Sequence, residues 1–119
     1  MLQKVMAAII LPALLVSLLT VSLNIKAGKR VYADLSINKK TATCLVSIAT
    51  ANISDSIEVS VVLAEGSNIV GQWDNITGTG TLYFNESVSV DKGKTYTMKT
   101  VVKINGTTWP VSDISKKAN

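Results

Sequence analysis

The chain has no histidine, one cysteine, two prolines and few aromatic residues, with one Phe, three Tyr and two Trp in 119 positions. Each scarcity excludes something. Without histidine the usual neutral-pH general base and the commonest metal ligand are missing. A single thiol, Cys44, permits no internal disulfide, so a small domain built from this chain must be held by packing. No Asp-x-Asp-x-Asp spacing is present to build a calcium loop, and no Ser-x-x-Lys opens a helix. The carboxylates fall singly, Asp55 and Glu58 around one turn and Asp74, Glu86 and Asp91 beside Asn, Ser or Lys, as turn formers do. The chain is therefore expected to be no enzyme and to carry no metal or cofactor.

Charge is also missing from one long stretch. Val5 to Ile25 (VMAAIILPALLVSLLTVSLNI) holds no ionisable side chain over 21 residues. As a helix it would reach roughly 31 Å, enough for a bilayer core. Lys4 and the amino terminus precede it, and Val31-Tyr32-Ala33 offers small or moderate residues at the two positions a signal peptidase reads. The segment is thus expected to be a signal helix, with cleavage between Ala33 and Asp34, leaving residues 1–33 as signal peptide and 34–119 as the domain. A cut after Gly28 would place Lys26 at the third position back, a poor fit. Lys26, Lys29 and Arg30 beyond the run resist translocation and leave an uncleaved anchor as the competing reading.

Removal of that leader changes the charge. The full chain is formally +4, from twelve basic and eight acidic residues, and Lys4, Lys26, Lys29 and Arg30 lie ahead of Asp34. The remainder balances, eight against eight. It offers no net positive excess for phosphates, so nucleic acid is excluded as a partner, and the membrane is met only through the leader.

After the leader, period-two alternation is broken by turn signals every eight to twelve residues, the pattern of an all-β sandwich or barrel. DLSIN, TATCLVSIATA, IEVSVVLAE, IVGQWDNI, TLYFNESVSV, TYTMKTVVKI and TTWPVSDIS read as about seven antiparallel strands. Asn105-Gly106 is a type I′ hairpin signal, and Pro110 marks the last strand as an edge. Tyr96, Met98, Thr100, Val102 and Ile104 should point inward.

The stretches TATCLVSIAT and DKGKTYTMKTVVKI carry a resemblance to the small immunoglobulin-like or fibronectin-III-like sandwich modules exported by Gram-positive bacteria. The resemblance implies a tyrosine corner at Tyr96, whose hydroxyl would bond backbone a few residues upstream. It also implies that Cys44 and Met98 take the places of the two bridging cysteines of antibody domains and fill the core as thiol and thioether. Trp73 lies too far along to be the tryptophan of the third strand. Such sandwiches host many functions, so the likeness assigns no activity.

Trp73, Tyr83 and Trp109 are the candidate ligand contacts, because exposed aromatics near strand ends can stack on sugar rings or anchor a protein. The alternative duty for each tryptophan is to cap the open end of a core without a disulfide. Four Asn-x-Ser/Thr triplets, at Asn52, Asn75, Asn85 and Asn105, are glycan acceptors only in a eukaryotic secretory path. The expectation is an exported, secreted or cell-surface monomer that binds a protein or carbohydrate. The alternative is a structural or self-assembling envelope component, joined through an edge strand or held by an uncleaved helix.

Overall fold

Strictly alternating apolar side chains cannot be buried by one sheet alone, and here two antiparallel layers close over them. The computed structural model describes residues 21–26, through their backbone, and 28–119. Of the expected signal helix, Val5–Ile25, residues 5–20 lie outside the described residues, and the last five, Val21–Ile25, lie in the first strand. Nine strands follow one another: β1 Val21–Lys26, β2 Lys29–Asn38, β3 Thr41–Ala49, β4 Ser56–Glu65, β5 Asn68–Thr79, β6 Thr81–Ser89, β7 Thr95–Ile104, β8 Thr107–Trp109 and β9 Ile114–Lys117. One layer is ordered β1-β2-β3-β6, the other β5-β4-β7-β8, with β9 also pairing β7. Between the layers β5 and β6 share a single pair, Thr79 with Thr81, around a corner at Gly80.

That corner is tied down from outside. Gly80 has φ +75°, which a side chain would strain, and an added Cβ there would come within 2.9 Å of Ile53 Cα. Its N–H donates to the Asp55 carbonyl at 2.8 Å and its carbonyl accepts from Thr50 N–H at 2.9 Å. Asp55 is buried, and its carboxylate accepts from the Asn105 side-chain amide at 2.9 Å. Asn105 in turn accepts from Ser56 N–H at 2.8 Å. The β7–β8 hairpin, whose Asn105 and Gly106 both have positive φ, is thereby locked to the corner.

The core holds Leu35, Cys44, Val46 and Ile48 from the first layer and Ile57, Val59, Val61, Leu63, Met98, Val102 and Ile104 from the second, in one cluster. In β7 the inward set is Tyr96, Met98, Thr100, Val102 and Ile104, all buried. The segment TTWPVSDIS is two short strands rather than one: β8 pairs Val102–Ile104 and β9 pairs Thr95–Met98, with Pro110 between them.

The Ala33–Asp34 boundary lies in the middle of β2. Val31 is 1% and Ala33 0% exposed, both in the core, and Arg30 to Asn38 pair β3 without interruption. The folded unit thus takes in residues ahead of Asp34, because Val31, Ala33 and Leu35 continue a single inward row.

β5 departs from simple alternation. Its register against β4 shifts between Val59 and Val61 and again between Leu63 and Ala64. At the first shift Asn75 adopts φ 55° and its N–H donates to Ser60 Oγ at 3.4 Å. Such a bulge inserts one residue and re-phases the strand. It sets Trp73 opposite Val61 and Ile76 opposite Val59, so two residues three apart both face the core. Gly71 makes room for the indole: an added Cβ would lie 2.6 Å from Trp73 Cη2.

Candidate functional site

The aromatic residues divide by phase. Trp73 is half-buried against the core, and its ring meets Phe84 edge-on, centroids 5.4 Å apart at 65°. A T-shaped pair of this kind contributes about 0.5–1.5 kcal/mol beyond the area it buries. Trp109, on β8 opposite Val102, also packs against the core. Tyr96 is buried, and its hydroxyl accepts from Asp91 N–H at 2.8 Å, holding the turn before β7. Cys44 and Met98 are both fully buried in the shared cluster. Burial pushes the Cys44 thiol up to about 11, so it stays protonated and unreactive near neutral pH.

Tyr83 differs from these. It is 66% exposed, between the buried Leu82 and Phe84, and so stands on the outer face of β6. The Asn85 amide donates to its hydroxyl at 3.2 Å. The antiparallel register carries its row across the sheet: Tyr83 pairs Ser47, and Ser47 pairs Tyr32. Tyr32 is outward too, between the buried Val31 and Ala33. Two strand spacings separate the tyrosine positions, about 9–10 Å. The next row is Asp34, Leu45 and Asn85, and the preceding one Arg30, Ala49 and Thr81. Burial first, and the Asp34 carboxylate second, hold the Tyr32 phenol above its ordinary pKa, so it remains a neutral hydrogen-bonding group.

This face therefore presents two phenol rings in line, flanked by a carboxylate, a guanidinium, an amide and small hydroxyls, on a regular three-strand surface. Tyr83 was legible as a candidate from the sequence. Tyr32 was not, because it falls in the stretch assigned to the leader. The signal that finds it is the unbroken alternation Val31-Tyr32-Ala33-Asp34-Leu35 running into DLSIN.

The outer face of the other layer has a shallow depression lined by Glu58, Ser60, Asn75, Val101 and Lys103. Around it run Lys99, paired with Asp113 at 3.5 Å, and at the sheet end Lys94, paired with Glu65 at 3.9 Å. Such exposed pairs contribute about 0–1 kcal/mol. Among the described residues no group of three His, Cys, Asp or Glu side chains could hold a metal ion. Asp55, the one buried carboxylate among them, is committed to the hairpin lock described above. The chain matches no family model, and no curated protein is significantly similar to it.

Proposed function

We propose that this chain is an exported, non-catalytic sandwich module that binds carbohydrate through the outer face of β2, β3 and β6. The single observation that carries the reading is Tyr83, largely exposed on a rigid strand in line with Tyr32, while Trp73 and Trp109 serve the core. A phenol ring offers a negative π face to the polarised C–H edge of a sugar. Ser47, Asp34, Asn85 and Arg30 around it supply donors and acceptors for hydroxyls. A protein-binding hot spot instead needs a desolvated apolar centre, and Leu45 is the one large aliphatic residue of these rows.

The module is of the immunoglobulin-like and fibronectin-III-like kind. Supporting this are the split of the sheets, β1-β2-β3-β6 against β5-β4-β7-β8, and the Tyr96 hydroxyl bonded to the Asp91 backbone. The fourth strand after β1, β5, sits beside β4 rather than β6, unlike the constant-type immunoglobulin arrangement. It acts as a monomer outside the cell or at its surface.

The test is binding of the exported protein to a panel of insoluble and soluble polysaccharides. Tyr83→Ala and Tyr32→Ala should each weaken binding about tenfold, the loss of about 1.4 kcal/mol, while Tyr83→Ala leaves the thermal midpoint unchanged. Binding that survives both substitutions and follows Val101→Asp instead would move the site to the other face.

A further inference from the structure

We propose that the ligand of this face is an extended, uncharged β-1,4-linked pyranose chain, which crosses the strands along the row Tyr83, Ser47 and Tyr32 and stacks every second sugar on a ring. The proposal rests on the carbohydrate reading above and narrows it to one linkage.

The two tyrosines belong to a repeated unit. Tyr32-Ala33-Asp34 on β2 and Tyr83-Phe84-Asn85 on β6 each set a phenol on the outer face, a buried residue next to it, and an oxygen acceptor two residues on. β3 runs antiparallel to both strands, so β2 and β6 point the same way. Tyr32 and Tyr83 therefore share one row through Ser47, and Asp34 and Asn85 share the next through Leu45. The Tyr83 hydroxyl accepts from the Asn85 amide at 3.2 Å. A residue two positions on lies about 6.5–7 Å along the strand, so the ring leans along β6 and, being 66% exposed, turns a face to solvent. Asp34 holds the matching position beside Tyr32.

Two like platforms at two strand spacings, about 9–10 Å apart, ask for a ligand that repeats at that interval. In a β-1,4-linked pyranose chain joined through equatorial bonds, each sugar is turned over relative to the last. Alternate sugars thus present the same face, and they are separated by nearly that distance. The sugar between them passes over Ser47, whose small side chain leaves room and offers a hydroxyl. Asp34 and Asn85 then accept from sugar hydroxyls at the same interval on one side of the row. Chains linked α-1,4 or β-1,3 coil instead, and their alternate sugars do not return one face to a straight row. The charges in these rows are Asp34 and Arg30, one of each sign, which gives a charged polymer no net attraction.

The experiment is isothermal titration of the exported protein with β-1,4-linked glucose and N-acetylglucosamine oligomers, from disaccharide to hexasaccharide, against α-1,4-linked and β-1,3-linked glucose oligomers of the same lengths. Affinity for the β-1,4 series should rise about tenfold from the disaccharide, which reaches one ring, to the trisaccharide, which reaches both. That step should vanish in Tyr32→Ala and in Tyr83→Ala. It should stay absent when Ser47→Tyr is added to Tyr83→Ala, because the rings then stand one strand spacing apart; thermal melts establish that each variant is folded. No step at the trisaccharide, its survival in any of these variants, or equal affinity for the α-1,4 or β-1,3 series overturns the linkage but leaves carbohydrate binding standing. No binding to any of these oligomers or to the polysaccharide panel overturns the carbohydrate reading itself.

Discussion

The outer face of β2, β3 and β6 sets Tyr32, Leu45 and Tyr83 among hydroxyl, amide and single charged groups, whereas that of β4, β5 and β7 sets Glu58, Lys99 and Lys103 around Val101. The ladders beneath differ in the same way. β3 pairs both β2 and β6 through nine residues without a shift, but β5 shifts twice against β4, and the far edge of β7 is shared by two short strands. Regular pairing keeps one face flat and its aromatics in a row. On the irregular side the bulge at Asn75 turns Trp73 inward, and the ring is used against Phe84. The aromatic available to a partner is thus chosen by strand phase rather than by nearness to a strand end.

The harshest way to break the comparison is to shorten the regular layer. A chain beginning at Asp34 loses Val31 and Ala33 from the core. Burial of one valine side chain alone contributes about 1.5–3 kcal/mol, and half a strand of pairing goes with it. Against the roughly 5–15 kcal/mol of a typical domain, that chain should show no cooperative unfolding by circular dichroism, whereas one beginning at Gly28 should melt in a single transition.

The seam between the layers is next. Phe84→Ala removes the ring that meets Trp73 and should cost about 3–5 kcal/mol in urea unfolding. Val101→Ala, on the exposed face of β7, should stay within about 0.5 kcal/mol. Equal costs would mean that the two layers do not share one core.

Alkali probes the same interior. The Cys44 thiol is raised from 9.0 to about 11 by burial, so the unfolded chain releases this proton first as pH climbs. The stability this group contributes is full below pH 9 and falls between 9 and 11, at about 1.4 kcal/mol per pH unit. In Cys44→Ala that part of the alkaline loss should vanish. The smallest change sharpens the entry to β7: Tyr96→Phe deletes one hydrogen bond to Asp91 N–H and should lower stability by about 1 kcal/mol.

Most strands could be read from alternation because burial on one face imposes period two, as Tyr96 to Ile104 shows. Three features escaped it, each for a physical reason. Small apolar residues at alternate positions serve a peptidase and a sheet interior equally well, so Val31-Tyr32-Ala33 read as a leader's end although it is the middle of β2. A bulge needs only one extra residue, and Asp74 and Asn75 both tolerate positive φ, so WDNI alone does not say where the strand is re-phased. Pro110 signalled an edge strand but not that the edge would be shared by β8 and β9; that split and β1, which falls in the expected leader, make nine strands among the described residues where about seven were expected. For the site, the chemistry of Tyr83 was visible in the sequence. Its row with Tyr32 was not, since the row exists only in the register of three strands distant in the chain.

With its lone sulfhydryl sealed in the interior, the module carries its own clock. A disulfide-exchange reagent can reach Cys44 only when the two layers part, so the rate of modification under native conditions counts openings of the whole domain without any introduced label. The same seal keeps two copies from becoming covalently linked in an oxidising medium while they remain folded, and covalent dimers in a preparation would record molecules that had come apart.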